Sequence, residues 1–192
     1  RLRHTLAWLG EKNEHLAVAQ RLIPAAIFVK AVAKAASEIP EVNGTWEQGG
    51  FVPAQSVNVA MVTRLRTGGL LLPVLHGAES LTLNTLMQRM RDLINRARAA
   101  RLKEQELSGG TLSITNLGER GVETVYGVIY PPQVALVGFG GIVHHPELDG
   151  DQLRSVPCVN VTLAADHRVS DGLRGAAFLQ AVRGYLESPE HL

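Results

Sequence analysis

The chain has 192 residues, of which 45% are hydrophobic and 19% charged, a balance typical of one globular domain with a sizeable core. Its 19 basic and 18 acidic residues give a net charge of +1, which argues against a broad electrostatic surface for nucleic acid or an anionic membrane. No apolar run approaches the roughly 18 residues of a membrane span.

The first predicted element is a buried helix over residues 22 to 37. This segment is rich in alanine, Pro24 suits a first helical turn, and Pro40 closes the stretch. Its large apolar side chains recur at helical spacing, at Ile23, Ile27, Phe28 and Val32.

A hairpin is expected next. Residues 57 to 63 alternate like a strand, and residues 70 to 75 form a short apolar run directly after Gly68 and Gly69. The two glycines favour a turn between two short strands.

A longer amphipathic helix follows, for which Ser80 is a suitable N-cap. Its apolar side chains form one stripe that should pack on a core: Leu83, Leu86, Met87, Met90, Ile94 and Ala97. Its arginines are typical of a solvated helix face: Arg89, Arg91, Arg96, Arg98 and Arg101.

The second half contains three predicted strands, at residues 111 to 115, 133 to 139 and 159 to 163. The middle strand is almost entirely apolar, as expected for a strand covered on both faces. A turn is expected at residues 116 to 121, and a last helix at residues 173 to 186. Interleaved strands and helices predict an α/β fold, a mixed sheet covered by helices.

The residues between the last strand and the last helix, 165 to 172, read Ala-Asp-His-Arg-Val-Ser-Asp-Gly. His167 is the one histidine with a plausible chemical partner close in sequence, Asp171, and imidazole is suited to proton transfer near neutral pH. His167 is therefore the candidate general base. A purely structural histidine is the competing interpretation, and Asp171 also suits the N-cap of the helix that follows.

Two further features have simpler interpretations. His144 and His145 precede Pro146, but no third ligand has a recognisable spacing, so a solvated loop is expected there and no metal site. The single cysteine, Cys158, cannot form an internal disulfide, which fits a reducing compartment.

Four sequence motifs occur in an order that resembles a known family. They are Pro40 to Asn43, the Gly-Gly-Thr-Leu-Ser-Ile-Thr-Asn-Leu-Gly stretch from 109 to 118, Pro-Pro-Gln from 131 to 133, and Asp-His-Arg to Asp-Gly from 166 to 172. Together they resemble the catalytic domain of the dihydrolipoamide acyltransferase component of 2-oxo-acid dehydrogenase complexes. The resemblance extends from roughly Leu16 to the C-terminus.

The resemblance implies a fold similar to chloramphenicol acetyltransferase, assembled into homotrimers with active sites at the subunit boundaries. Trimers of this family build 24-mer or 60-mer cores. It further implies acyl transfer between a dihydrolipoyl thiol and coenzyme A, with the 2-oxo-acid decarboxylase/dehydrogenase and dihydrolipoamide dehydrogenase components as partners. No nucleic-acid or membrane partner is expected.

The resemblance also assigns residues. His167 would be the general base, and the Thr115 hydroxyl would stabilise the tetrahedral oxyanion, reaching across the boundary to a neighbour's His167. Asp171 matches the motif, where it either orients the base or holds the loop through an arginine such as Arg168. His76 would touch coenzyme A, whose phosphates would also need a nearby cation such as the arginines of the long amphipathic helix.

Some features depart from the family pattern. Ala165 stands where many members carry an aromatic residue, and the strand that usually opens the domain is hard to find before Leu16. We expect residues 1 to 192 to be one excised catalytic domain, truncated or divergent at its N-terminal edge. We expect the lipoyl group to come from another domain or protein.

Two other functions stay open at this point. One is a free-standing acyltransferase that uses acyl-coenzyme A and a small acceptor, and the other is an inactive scaffold that organises partner enzymes. The bacterial cytoplasm is the expected compartment, with the mitochondrial matrix as the alternative.

Overall fold

A computed structural model describes residues 1–65, 68–118, 121–149 and 151–192. Within these ranges the α-helices are α1 (Arg3–Asn13), α2 (Pro24–Glu38), α3 (Leu83–Arg98) and α4 (Gly172–Glu187). The strands are β1 (Gly44–Glu47), β2 (Gly50–Pro53), β3 (Val59–Met61), β4 (Thr63–Arg64), β5 (Leu70–Leu71), β6 (Val74–Leu75), β7 (Leu112–Asn116), β8 (Ala135–Asp149) and β9 (Gln152–Ala165). None of the described helices has the length and apolar character needed to cross a membrane.

Five strands form the main sheet, in the order β6-β3-β7-β8-β9. The β3–β7 and β7–β8 pairs are parallel, whereas β3–β6 and β8–β9 are antiparallel. Two small antiparallel sheets, β1–β2 and β4–β5, lie outside it. The predicted mixed sheet with helices is therefore confirmed.

The core forms where α2 covers the middle of the sheet. Phe28 of α2 stacks on Phe139 of β8, with ring centroids 4.6 Å apart and planes within 3° of parallel. Both side chains are buried, and full burial of such a side chain stabilises the fold by about 1.5 to 3 kcal/mol. All four α-helices contribute side chains to this one core.

Helix α2 matches its predicted span closely. Pro24 occupies the first turn, where its missing N–H costs nothing, and the helix ends two residues before Pro40. Its alanines let it pack closely against its neighbours, and two thirds of its residues are buried.

The opposite face of the sheet is covered by extended chain, residues 121 to 130, which we call the cover segment. Its backbone passes directly over Gly138 and Gly140 of β8, where an added Cβ would lie 2.8 Å from the Val125 carbonyl oxygen and 1.8 Å from that of Glu123. The Thr162 hydroxyl donates to the Val125 carbonyl oxygen at 2.5 Å. The strand β8 is thus covered on both faces, as predicted.

The predicted hairpin is confirmed, as β3 pairs with β6 and β4 pairs with β5. Gly68 and Gly69 both have positive φ, the conformation that glycine adopts most readily. Residues 66 and 67 of the connection lie outside the described residues, as do residues 119 and 120 of the predicted turn at 116 to 121.

The N-cap predicted for α3 is wrong by two residues. Thr82 caps the helix, since its hydroxyl accepts from the Thr85 N–H at 3.3 Å. Ser80 instead donates its hydroxyl to the Gly77 carbonyl in the preceding turn, at 2.8 Å. Both residue types are good caps, and the turn at Gly77 decides between them.

Strands β8 and β9 are much longer than predicted, because they continue as a two-stranded ribbon beyond the sheet. A register shift between Phe139 and Ile142 starts this ribbon, which extends to the pair Asp149–Gln152. Pro146 and Pro157 within it lack an N–H and would argue against a central strand. A two-stranded ribbon tolerates them because each strand needs partners on only one side.

Lys30 is a buried lysine of α2 that holds the chain before α3. Its Nζ donates to the carbonyl oxygens of Ala78 at 3.2 Å and Glu79 at 2.8 Å, and also to that of Leu81. These carbonyls leave water on folding, so the ammonium group supplies the donors that they would otherwise lack.

Replacing Lys30 with methionine is expected to lower the free energy of unfolding by about 2 to 4 kcal/mol, because the carbonyls lose their donor while the volume is kept. Urea unfolding measures this difference. Lys34→Met on the next turn of α2 is the matched control and should change stability by less than about 0.5 kcal/mol. Equal effects of the two substitutions would contradict the proposed role of Lys30.

A second charged contact attaches residues 104 to 106 to α3. The Arg96 guanidinium donates to both carboxylate oxygens of Glu106, at 2.5 and 2.7 Å, and to Asp92 at 2.9 Å. Hydrogen bonds from Arg96, and from the Lys103 N–H, lower the pKa of Glu106 from 4.5 to about 2.

The lowered pKa of Glu106 makes this contact pH-dependent. Its contribution to stability is fully present above pH 4.5 and is lost as the pH falls towards 2. Glu106→Gln should therefore lower the free energy of unfolding by about 1 to 2 kcal/mol at pH 7, with the difference from wild type vanishing near pH 2. Urea titrations across this pH range test it, with Glu104→Gln as the control that should leave the pH dependence unchanged.

Candidate active site

The chain passes from β9 to α4 through residues 166 to 171, as predicted. The strand ends at Ala165, and the Asp166 N–H donates to the Val134 carbonyl at 2.8 Å. A turn follows, in which the backbone N–H groups of Val169 and Ser170 both donate to the Asp166 carbonyl oxygen. The turn places His167 at the outer surface of the loop.

The His167 side chain is exposed, and no side chain or backbone group in the described residues hydrogen-bonds its ring. Both ring nitrogens are therefore available to an external group. This is the state that a general base needs before its substrate binds.

The residues on either side of His167 are joined by a two-point polar contact. The Arg168 guanidinium donates from Nε at 3.0 Å and from Nη2 at 2.6 Å to the two carboxylate oxygens of Asp166. This pair lowers the pKa of Asp166. Arg168 also lies over the ring of Trp46, 4.1 Å from its centroid, in a cation–π contact.

Asp171 is the N-cap of α4. Its carboxylate accepts from the Arg174 N–H at 2.8 Å, which confirms the capping interpretation. The expectation that Asp171 holds the loop through Arg168 is not met, because Arg168 pairs with Asp166. A direct catalytic part for Asp171 stays a prediction.

Thr115 lies on β7 and is not brought together with His167 within one chain. The sheet register aligns Thr115 with Gly138 and Thr162, whereas Ala165 is aligned with Ala135. Three residues along a strand span about 10 Å, and two strand spacings add about 10 Å across the sheet. His167 lies still further along, so its ring cannot reach the Thr115 hydroxyl of its own chain.

His76 follows β6 and is exposed. Its Nε2 lies 2.9 Å from the Gln105 carbonyl oxygen, so one ring nitrogen already has a partner within the chain. Contact between His76 and coenzyme A stays a prediction.

His144 and His145 do not lie in a loop, which corrects the expectation from sequence. They belong to β8, where they pair with Pro157 and Val156 of β9. His145 Nε2 lies 3.1 Å from a carboxylate oxygen of Glu123 in the cover segment. Among the described residues no group of three or more His, Cys, Asp or Glu side chains is placed to hold a metal ion.

Trp46 lies near His167, and the sequence alone did not identify it as part of this site. It lies on β1, far from the Asp-His-Arg motif in the chain, and its backbone N–H donates to the Pro132 carbonyl oxygen at 2.7 Å. Only its place just after the Pro40 to Asn43 motif could have suggested it. Nothing in the spacing pairs it with Arg168.

The architecture defines a class before any residue is compared. The chain superimposes on chloramphenicol acetyltransferase with a TM-score of 0.56 at 15% identity, over 84% of this chain and 77% of that one. The fold is therefore that of the chloramphenicol acetyltransferase class.

The chain belongs to the family of 2-oxoacid dehydrogenases acyltransferase catalytic domains, whose model matches residues 1–192. It is 34% identical over 162 residues to the dihydrolipoyllysine-residue acetyltransferase component of the pyruvate dehydrogenase complex of Rickettsia bellii, covering 84% of this chain. The corresponding protein of Zymomonas mobilis is 34% identical over 94% of the chain. The chain spans only 38% and 41% of these two relatives.

Solved structures of the same family agree. A probable dihydrolipoamide acetyltransferase from Listeria monocytogenes has a TM-score of 0.83 at 28% identity, over 97% of this chain and 78% of that one. The Azotobacter vinelandii dihydrolipoamide acetyltransferase has a TM-score of 0.90 at 22% identity, over 99% of this chain and 79% of that one. Its structure was studied for the role of a serine, a histidine and an asparagine in the catalytic mechanism. The cubic core of a pyruvate dehydrogenase multienzyme complex gives the same values.

The capping role of Asp171 is testable by itself. Asp171→Ala removes the acceptor for the Arg174 N–H and should lower the free energy of unfolding by about 1 kcal/mol. Asp171→Asn keeps an acceptor oxygen at the same place and should stay within about 0.3 kcal/mol of wild type. Urea unfolding distinguishes the two, and an equal loss in both variants would contradict a capping role.

Proposed function

We propose that this chain catalyses acyl transfer between a dihydrolipoyl thiol and coenzyme A, as the catalytic domain of a 2-oxo-acid dehydrogenase complex. The observation that carries the proposal is His167, an exposed histidine with a free ring at the Asp-His-Arg turn of a chain that belongs to this family. The relatives named above are acetyltransferases, so acetyl is the acyl group we propose.

His167 would act as general base. A thiol with a pKa near 8.5 is only a few per cent thiolate at neutral pH, so removal of its proton is needed for rapid attack. His167 takes the proton of the coenzyme A thiol as that sulfur bonds to the thioester carbonyl carbon. It then returns the proton to the dihydrolipoyl sulfur as the original carbon–sulfur bond breaks. General-base catalysis of this kind contributes a factor of about 10² to 10⁴.

The attack places a negative charge on the carbonyl oxygen, and a hydroxyl donor aimed at it stabilises the transition state. One such donor is worth about 3 to 4 kcal/mol in a site that excludes water. Thr115 is the donor we propose.

The spacing of these residues supports the assignment. In the Azotobacter vinelandii protein the serine and the histidine under study are 52 positions apart, and the asparagine follows the histidine by four. Thr115, His167 and Asp171 have the same separations in this chain. A hydroxyl residue is kept at the first position, whereas an aspartate replaces the amide at the third.

The distance between Thr115 and His167 in one chain supports a site shared between two copies. Since the register holds them apart, a complete site needs the hydroxyl of one copy and the imidazole of its neighbour. The proposed homotrimer supplies this arrangement three times through one repeated contact.

The cover segment supports the same contact. It lies on the sheet face that carries Thr115, and its Tyr126 and Val128 are 84% and 86% exposed, beside the exposed Val122 and Tyr130. Aromatic and aliphatic side chains grouped on one surface are typical of a protein–protein interface. A second copy covering them would bring Thr115 to the subunit boundary.

Larger assembly and partners extend the proposal. The likeness to a cubic core supports assembly of trimers into a 24-mer, and the 60-mer is the alternative. The lipoyl group would be delivered by another domain or protein, and the decarboxylase/dehydrogenase and dihydrolipoamide dehydrogenase components would bind the same assembly. His76 and the arginines of α3 are the groups we propose for coenzyme A.

The reaction is tested by release of coenzyme A thiol from acetyl-coenzyme A with dihydrolipoamide as acceptor. His167→Ala should lower kcat by about 10² to 10⁴, and Thr115→Ala by about 10² to 10³, while Thr115→Ser stays near wild type. Activity with small acceptors but not with dihydrolipoamide would favour a free-standing acyltransferase. Equal background rates in wild type and His167→Ala would favour an inactive scaffold.

Mixing the two inactive variants tests the shared site. In co-assembled trimers of His167→Ala and Thr115→Ala chains, about one quarter of the boundaries combine an intact histidine with an intact threonine, and activity should return to about that fraction. Each variant assembled alone is the control. Mixed trimers as inactive as the separate variants would refute a site built from two copies.

A further inference from the structure

The residues that flank His167 form one contact with a separate part of the fold. The Arg168 guanidinium lies between two partners, hydrogen-bonded to the Asp166 carboxylate and stacked over the indole ring of Trp46. We call these three side chains the loop clamp. The Arg168 N–H also donates to the Asp166 carboxylate at 3.0 Å, so backbone and side chain of the turn are fixed together.

Both ends of the loop clamp are anchored to the same short segment. The backbone N–H of Trp46 donates to the Pro132 carbonyl oxygen. The backbone N–H of Asp166 donates to the carbonyl oxygen of Val134, two residues further along the same segment. Thr45 also forms a bridge to Gln133. The β1–β2 hairpin and the His167 turn are therefore both bonded to the same segment, residues 132 to 134.

We infer that Trp46, Arg168 and Asp166 are positioning residues that fix the direction of the His167 imidazole. This inference rests on the proposed function of His167. The ring has no hydrogen bond of its own among the described residues, so the backbone of its turn determines the point from which it projects. A general base works efficiently only when it is held close to the proton that it removes.

The loop clamp adds little to stability. Arg168 has a side chain 58% exposed, and an exposed cation–π or ion pair is worth about 1 kcal/mol or less. A contact that stabilises the fold weakly but fixes a reacting group should affect turnover more than unfolding. This difference separates positioning from a purely structural role.

The test uses full-length, assembled protein with substitutions on both sides of the contact. Trp46→Ala and Arg168→Gln should each lower kcat by about 10- to 100-fold, with the KM for coenzyme A within about twofold of wild type. Trp46→Phe keeps an aromatic face for the cation and should restore kcat to within about threefold. Trp8→Ala is the matched control, since Trp8 pairs with Lys12 at 5.5 Å on α1, and its kcat should match wild type.

A second measurement reports the imidazole directly. The His167 ring signal in ¹³C-labelled protein, assigned by its loss in His167→Gln, should broaden or shift in Trp46→Ala and Arg168→Gln and stay unchanged in Trp8→Ala. Unchanged kcat in Trp46→Ala and Arg168→Gln would overturn the inference, as would a lowered kcat with an unchanged ring signal. An inactive wild type whose His167 signal still depends on Trp46 would refute the proposed function and support the positioning contact.

Discussion

The pairing and burial of β8 is the constraint on which the rest of this structure depends. The strand bonds to β7 on one side and β9 on the other, is covered by α2 on one face, and by the cover segment on the other. Phe139 gives this strand a rigid apolar contact with Phe28, while Gly138 and Gly140 leave room for extended chain on the opposite face. Phe139 on one face and the two glycines on the other make the two coverings possible.

The same strand sets the distances within the site. Because β7 and β9 both take their register from β8, the positions of Thr115 and of the end of β9 are fixed relative to each other. That register separates the hydroxyl from the imidazole in one chain. The proposed chemistry, which needs both groups, therefore favours the proposed assembly, and the exposed apolar side chains of the cover segment offer a surface for it.

The His167 turn combines a free ring with a restrained backbone. Asp171 caps α4 on one side, and the Asp166–Arg168–Trp46 contact restrains the other. A base must exchange its hydrogen-bond partners during each turnover, so its ring cannot be held by permanent bonds at both nitrogens. The proposed restraint through neighbouring residues would leave the ring free and still limit the positions that it can reach.

The sequence by itself determined the features whose physical causes are local. The alanine-rich repeat and Pro24 specify α2, the alternation before residue 165 specifies the end of β9, and Asp171 specifies the start of α4, since periodicity and capping act within a few residues. Four motifs in order were enough to indicate the family and its candidate residues.

Only the tertiary structure decided features that depend on contacts between distant segments. The ribbon at His144 and His145 exists because two strands pair against the local preference of Pro146 and Pro157. The contact of Trp46 with Arg168 and the separation of Thr115 from His167 follow from sheet register and from closure of the fold around α2. Such contacts leave no periodic pattern in the sequence, because the energy that selects them arises only when the segments pack together.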